Sequence, residues 1–179
     1  MCPGVMSTVN SPSKPANTAP VLQRERPEDA AAVDGLIDHA FGPGRHVKAA
    51  ERLREHNSPF RDLSFVAWIG GEAVGCVRLW PIHIGDTPAV LLGPFAVEDA
   101  WRSRGLGSDL IRKACDAAQA AGHAIVLLVG DDPFFTKLGF ETVSPGRVTL
   151  PGPVNPRRLL WRALKPGVLE GVEGLVHAG

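Results

Sequence analysis

The sequence contains no tyrosine among its 179 residues, so no reaction of this protein can use a tyrosine phenol as its acid. It has three cysteines, Cys2, Cys76 and Cys115, and none belongs to a CxxC or CxxH pair. This pattern indicates neither a disulfide framework nor a zinc site. We therefore expect a protein of the reducing cytoplasm that binds no metal.

The sequence also lacks an excess of charge and long apolar runs. Its 19 basic residues balance its 19 acidic residues, whereas nucleic-acid and anionic membrane surfaces need a cationic excess or a basic stripe. No segment approaches the roughly 20 apolar residues of a membrane span. The composition therefore predicts neither a nucleic-acid partner nor a membrane partner.

Two regions of different composition are present. Residues 1–20 are rich in Pro, Ser, Asn and Thr and lack the apolar segment of a secretory signal, so we predict a disordered N-terminal tail. The whole chain is 44% hydrophobic, which is enough for a sizeable core. Residues 21–179 are predicted to form a single domain.

Hydrophobic runs bounded by turn residues predict the strands. Gly70 and Gly71 supply the positive φ angles of a tight hairpin, and the turn at 85–88 continues it into an antiparallel meander of three strands. The apolar run at 124–129 follows a helix, as a strand buried on both faces does. The predicted strands cover residues 21–26, 63–69, 72–80, 89–97, 124–129 and 157–164.

Helical spacing and stop signals predict four helices. They begin at Pro27, at His46, near Leu106 and near Pro133, and glycines follow three of them. A strand, a helix and a strand in succession after residue 89 suggest a βαβ crossover. The predicted fold class is therefore mixed α/β, with a mostly antiparallel sheet, one βαβ crossover and flanking helices.

The segment Arg102–Gly107, "RSRGLG", stands where the third helix begins. Glycine costs roughly 1 kcal/mol against alanine inside a helix, so two glycines here need a reason. A strand, a tight turn and a helix start direct several backbone N–H groups at one point, which suits a phosphate. Arg102 and Arg104 add charged donors, although the glycines alone are also explained by the turn.

This segment matches neither the Walker loop nor the dinucleotide fingerprint. It resembles the Q/R-x-x-G-x-G/A signature of the GNAT superfamily of acyl-CoA N-acyltransferases, with Arg102, Gly105 and Gly107 in the signature positions. The order of strand, loop, helix, strand and short helix ending in L-G-F resembles that superfamily too. "LLGPFAV" and "LLVGDDPFFTKLGF" look most like a bacterial branch of predicted N-acetyltransferases.

The resemblance implies a GNAT fold and transfer of an acetyl group from acetyl-CoA to a primary amine of a small molecule or protein. It implies that the amides of Ser103 to Gly107 hold the CoA pyrophosphate and that Phe95 and Val97 offer main-chain groups to the pantetheine and thioester. The cofactor-binding residues expected from it are Phe95, Ala96, Val97, Arg102, Ser103, Arg104, Gly105, Leu106, Gly107, Ser108, Asp131, Phe134, Phe135 and Lys137.

One position departs from the family pattern. Many members carry a tyrosine acid where this sequence has Phe135, which predicts transfer without a tyrosine. Thr136, Cys76, a bound water or the solvent are the substitutes. Phe134 and Phe135 are expected to pack in the core and against the CoA arm. The same departure leaves open an alternative function, a CoA-binding sensor that has lost catalysis.

Glu98 is the predicted catalytic base, because it follows the strand expected beside the thioester. Asp99 is the next candidate, and both acids are also explained as residues that stabilise the turn. Asp131 and Asp132 follow the fifth strand, where they either lie near the thiol of CoA or cap the short helix.

For the acceptor, the candidates are Phe41, Arg78 and Trp80. Cys76, Arg78 and Trp80 alternate along one strand and share a face, so Arg78 either holds a substrate carboxylate or pairs with a nearby acid. Trp80 either contacts the acceptor or lies in the core. The resemblance adds His39 and His46 as residues near the acceptor. Whether the chain is a monomer or a homodimer, and where residues 166–179 pack, stays open.

Overall fold

The computed structural model describes residues 19–44 and 48–179. Residues 1–18 of the predicted tail and the candidate His46 lie outside this description. Within it, nine strands and four α-helices are found. The order of the strands in the sheet is β1 (Val21–Arg24), β2 (Phe65–Ile69), β3 (Glu72–Ile84), β4 (Thr87–Val97), β5 (Ile125–Val129), β8 (Leu159–Ala163) and β6 (Glu141–Thr142). Two further strands, β7 (Val148–Thr149) and β9 (Gly174–Ala178), join it through β3. None of the described helices is long and apolar enough to cross a membrane.

The first half of the sheet is antiparallel, as predicted. It consists of β1 (Val21–Arg24), β2 (Phe65–Ile69), β3 (Glu72–Ile84) and β4 (Thr87–Val97). Gly70 and Gly71 have φ angles of 56° and 84° between β2 and β3, as the tight hairpin requires.

The predicted βαβ crossover follows. Helix α3 (Leu106–Ala120) connects β4 to β5 (Ile125–Val129), and β4 and β5 pair in parallel. After α3 the chain turns at Gly122, whose φ is 94°. The glycine therefore acts as the stop signal that its position suggested.

The remaining strands complete both edges of the sheet. Beyond β5 lie β8 (Leu159–Ala163) and the short β6 (Glu141–Thr142), both in antiparallel pairs. The short β7 (Val148–Thr149) pairs with β9 (Gly174–Ala178), which also pairs with β3. The sequence did not predict β6, β7 or β9. The last residues of the chain, which form β9, therefore pack on the sheet of their own domain.

Helices cover both faces of the sheet. Alternate residues of β3 point to opposite faces. Val77 and Leu79 pack in the same core as α3, whereas Cys76 packs with the first α-helix of the chain. The helices not yet bounded are α1 (Ala30–Phe41), α2 (Ala49–Arg52) and α4 (Asp132–Thr136). Helix α2 is shorter than the predicted 46–57, since its later turns are irregular.

Two irregularities open the sheet near its middle. The register of β3 with β4 shifts between Val77, opposite Phe95, and Leu79, opposite Leu92. One extra residue of β4 is therefore accommodated around Gly93, as in a β-bulge. The pairing of β4 with β5 covers only Val90 and Leu91, so the two strands separate beyond Leu91.

Replacing Gly75 tests how closely α3 packs on β3. A Cβ atom at Gly75 would lie 2.9 Å from Cδ1 of the fully buried Leu110, so Gly75→Ala should lower the free energy of unfolding by about 1–3 kcal/mol. A Cβ atom at Gly35, in α1, would meet nothing within 4 Å. Gly35→Ala should therefore raise the free energy of unfolding by about 0.5–1 kcal/mol. Urea unfolding of both variants provides the measurement, and equal effects would contradict the packing described.

Candidate active site

A cleft of about 770 Å³ occupies the space where β4 and β5 separate. Its floor is formed by the end of β4, from Leu92 to Val97, and by Leu128 to Gly130 after the paired part of β5. The start of α3 and helix α4 close one end, and α2 with residues 153–158 closes the other. The cleft therefore exposes the edge of β4 that has no partner strand there.

The loop before α3 has the conformation of an anion-binding turn. Ser103 has a φ of 62° and Gly105 a φ of 87°, and Gly105 is the N-terminal cap of α3. Such left-handed residues beside a helix start direct successive N–H groups into one concavity. Ser103, Gly105, Gly107 and Ser108 all line the cleft.

The two glycines of this loop serve different purposes. Gly105 has open space around its Cα, so it is needed for its left-handed backbone and leaves the approach to the amides clear. A Cβ atom at Gly107 would instead lie 2.9 Å from Cζ of Phe95. The absence of a side chain at Gly107 therefore makes room for a phenyl ring.

An aromatic cluster forms the wall next to Gly107. The ring centroids of Phe95 and Phe134 lie 6.1 Å apart, and those of Phe134 and Phe135 lie 5.0 Å apart. Phe134 is 37% exposed, whereas Phe135 is buried and also contacts Phe140. The position where many family members carry a tyrosine therefore holds a core side chain with no proton to donate.

The substitutes for a tyrosine acid lie elsewhere. Thr136 is exposed and its hydroxyl bonds to Asp132, and neither residue is among those that line the cleft. Cys76 is fully buried in the core under α1, and burial raises the pKa of its thiol to about 12. Burial likewise raises the pKa of Cys115 to about 11. Within the described residues, neither thiol reaches the cleft.

Glu98 lies at the end of β4, beside a second and smaller recess. Its backbone is fixed by bonds from its N–H to Val74 (2.9 Å) and from the N–H of Trp101 to its carbonyl (2.8 Å). The recess is bounded by Glu98 and Asp99 together with His39, and it shares Val97 and Arg102 with the large cleft. The predicted base thus borders the cleft but is not part of its main wall.

The arginines of the loop are partly engaged by the protein itself. Arg102 donates its Nε–H to the carbonyl of Val97 (3.2 Å) and pairs with Asp99 at 3.0 Å. The guanidinium of Arg104 lies 5.1 Å from the ring centre of Trp101. The Val97 carbonyl, expected to face pantetheine, therefore already accepts a bond from Arg102.

The other expected cofactor residues divide into two groups. Asp131 lines the cleft and pairs with Arg158 at 3.3 Å. Arg104, Leu106 and Lys137 are not among the described residues that line it. Leu106 is the first residue of α3 and its side chain is buried in the core, so only its backbone is left to contact a ligand.

Arg78 and Trp80 differ from the acceptor-binding expectation. Arg78 is buried, and its guanidinium donates to Glu25 at 2.7 Å and to Asp34 at 2.8 Å. The indole N–H of Trp80 donates to the carbonyl of Gly93 at 2.6 Å. Neither residue is found in the wall of the cleft, so the geometry supports their structural alternatives. Phe41, the third candidate, is 40% exposed and lines the cleft.

Two parts of the cleft wall were missed by the sequence analysis. Helix α2 and the residues that flank it contribute Lys48, Glu51 and Arg54, and the segment before β8 contributes Val154 and Arg158. Lys48, Glu51 and Arg54 are spaced by three residues in the sequence, a pattern that could have indicated a shared face. Only the fold shows that these three residues lie close to the end of β4.

The comparison with known families now identifies the class of protein. Residues 31–140 match the Acetyltransferase (GNAT) family. This match covers more than half of the chain, so the chain belongs to the GNAT acetyltransferase family. The prediction made from Arg102, Gly105, Gly107 and the order of the elements is confirmed, including the class of enzyme that it implied.

Individual relatives are bacterial. The chain is 28% identical over 160 residues to the uncharacterized N-acetyltransferase YhbS of Escherichia coli K12, an alignment that covers 88% of the chain and 95% of YhbS. It is 27% identical over 117 residues to the uncharacterized N-acetyltransferase YjhQ of the same strain, over 63% of the chain and 65% of YjhQ.

Solved structures agree with the predicted fold. The crystal structure of Escherichia coli YhbS in complex with CoA superposes with a TM-score of 0.76 at 26% identity and covers 93% of both chains. A GNAT acetyltransferase of Brucella melitensis in complex with acetyl-CoA gives 0.66 at 24% identity, over 89% of this chain and 96% of that one. The mixed, mostly antiparallel GNAT fold is therefore confirmed.

Removing the charge of Arg78 should lower the free energy of unfolding and should not weaken acceptor binding. Arg78→Met leaves the buried Glu25 carboxylate without its main partner, which costs about 3–5 kcal/mol. Adding Glu25→Gln should recover a large part of that loss. Urea unfolding measures both effects, and wild-type stability of Arg78→Met would contradict the structural role.

Proposed function

We propose that this chain transfers the acetyl group of acetyl-CoA to a primary amine within the cleft between β4 and β5. The observation that carries the proposal is the separation of these strands beside the amide-lined start of α3. The similarity to YhbS of Escherichia coli, a structure in complex with CoA, supports it.

In this proposal the pyrophosphate of CoA is bound by the amides of Ser103 to Gly107, where the helix dipole adds about half a positive charge. The pantetheine arm then runs along the unpaired edge of β4, from Val97 towards Phe95. Phe134 and Gly107 border its path. This direction brings the thioester to the part of β4 next to the bulge at Gly93.

Transfer of the acetyl group from the thioester to the amine requires few chemical groups of the protein. The amine nitrogen attacks the thioester carbonyl carbon, the new C–N bond forms, and the C–S bond breaks to release the thiolate of CoA. A free thiol has a pKa of about 8.5, so the thiolate leaves without obligatory protonation. Positioning of the two substrates and an N–H of β4 near the carbonyl oxygen supply the main rate enhancement.

The buried phenyl ring of Phe135 makes this a transfer without a tyrosine acid. General acid catalysis is typically worth about 10² to 10⁴ in rate, so we expect slow turnover, with water protonating the thiolate. The same ring is the observation that favours the second candidate, a CoA-binding sensor. That candidate predicts CoA binding without acetylation of any amine.

Glu98 is the proposed general base. No hydrogen bond or ion pair of its carboxylate is found within residues 19–44 and 48–179. It borders the recess that adjoins the cleft through Val97, so a water in the recess would link the carboxylate to the amine. A carboxylate without a partner is free to take the proton of the attacking amine.

Acetyl-CoA should stabilise the protein, and an amine should then trigger release of CoA. A ligand at 100 times its dissociation constant adds about 2.7 kcal/mol of stability, which a thermal-shift titration resolves. ATP serves as the control nucleotide. Stabilisation by CoA without release by any amine would favour the sensor, and no stabilisation by CoA would refute both functions.

Glu98→Gln should lower kcat by about 10² or more, because general base catalysis is lost, while the affinity for acetyl-CoA stays unchanged. Glu72→Gln, at the exposed start of β3, is the matched control. Steady-state kinetics and a CoA titration separate the two quantities. An unchanged kcat would show that another group, or bulk water, takes the proton.

A further inference from the structure

A row of charged side chains begins just before α2 and continues into the turn that follows this helix. Lys48, Glu51 and Arg54 are spaced by three residues, and the N–H of Glu51 and the N–H of Arg54 each donate to the carbonyl three residues earlier at 2.9 Å. Bonds of this kind give three residues per turn, so side chains three apart lie directly above one another. We call these three residues the charged row.

The charged row faces the cleft. All three residues line it, and Glu51 accepts a hydrogen bond from Arg54 at 2.9 Å. The side chains of this pair are only 19% and 13% exposed, so they are shielded from bulk solvent. Lys48 holds its ammonium 4.8 Å above the ring of Phe41.

The row also lies beside the β-bulge of β4. A Cβ atom at Gly93 would stand 2.9 Å from a terminal nitrogen of Arg54, so the missing side chain of Gly93 is what lets the guanidinium approach β4. Phe95, at which the thioester is proposed to lie, follows two residues later. The charged row is therefore next to the proposed point of transfer.

The charges at this end of the cleft do not suit a simple cationic amine. Among the described residues at this end, Arg54 pairs with Glu51 and Arg158 pairs with Asp131. Lys48 is left as an excess of one positive charge. An amine that also carries an anionic group matches this arrangement better than one with an alkyl or cationic tail. A carboxylate has about four acceptor sites, so Glu51 can bind an ammonium as well as Arg54.

We propose that the acceptor is a zwitterionic primary amine, with its ammonium on Glu51 and its carboxylate on Lys48. This inference rests on the proposed function and names the class of its acceptor. Glu51 binds the ammonium, and Glu98 takes one proton from it through water, so that the neutral amine can attack the thioester. The second proton leaves the nitrogen as the amide forms and passes through water to the released thiolate. Lys48 selects the anionic tail, so charge at this residue sets the specificity.

Three amines of matched length test the proposal, namely β-alanine, propylamine and trimethylenediamine, whose tails are anionic, neutral and cationic. One exposed ion pair is worth up to about 1 kcal/mol, or about fivefold in affinity. We expect kcat/KM for β-alanine to exceed that for propylamine about fivefold, with trimethylenediamine lowest. Lys48→Glu should reverse this order, whereas Arg24→Glu, the same charge change on exposed β1, should preserve it.

Glu51 has its own matched control. Glu51→Gln should raise KM for β-alanine about fivefold or more and leave KM for acetyl-CoA unchanged. Glu55→Gln, one turn further and exposed, should change neither. An equal effect of both substitutions, or an effect on acetyl-CoA alone, would overturn the role of Glu51.

A binding measurement separates this inference from the proposed function. β-Alanine should raise the melting temperature of the CoA complex of wild-type protein, propylamine should raise it less, and Lys48→Glu should abolish the effect of β-alanine. Such selectivity without acetylation of any amine would refute the proposed function and keep the zwitterion site. Acetylation with no preference for β-alanine, or no change with Lys48→Glu, would refute the site and keep the function.

Discussion

The parting of β4 from β5 is the constraint on which the rest of this molecule depends. Parallel strands normally share hydrogen bonds along their whole overlap, yet here the shared bonds end at Leu91. The backbone groups beyond that residue stay available because the bulge around Gly93 turns the edge of β4 away. The result is a cleft whose floor is the unpaired edge of β4 and whose wall includes the start of α3.

Neighbouring elements maintain this opening. The indole of Trp80 bonds to the Gly93 carbonyl, and Arg54 occupies the place of the side chain that Gly93 lacks. On the other side, Phe95 fills the space left by Gly107. The two glycines that matter most to the cleft are therefore needed for contacts across it, and Gly105 alone is needed for the backbone of the loop.

The sequence predicted the crossover, the meander and the family because these depend on local signals. Gly70-Gly71, Gly122 and the Arg102–Gly107 segment each act within a few residues of their own position. It did not predict β9, because a strand that pairs with residues about 90 positions away leaves no local mark. Nor could alternation along β3 decide between the two roles of Arg78, since the acids that partner it come from β1 and α1 regions far along the chain.

The burial of the two described thiols has a consequence for redox chemistry. A mixed disulfide with CoA forms when a cysteine thiolate attacks the disulfide of oxidised CoA and displaces a CoA thiolate. Burial raises the pKa of the Cys76 thiol to about 12, which keeps this thiol protonated at neutral pH. Cys76 lies on β3 beneath α1, and Cys115 lies on the buried face of α3. Neither of them lines the cleft. The core cysteines are therefore protected from disulfide exchange with oxidised forms of the CoA that the enzyme releases.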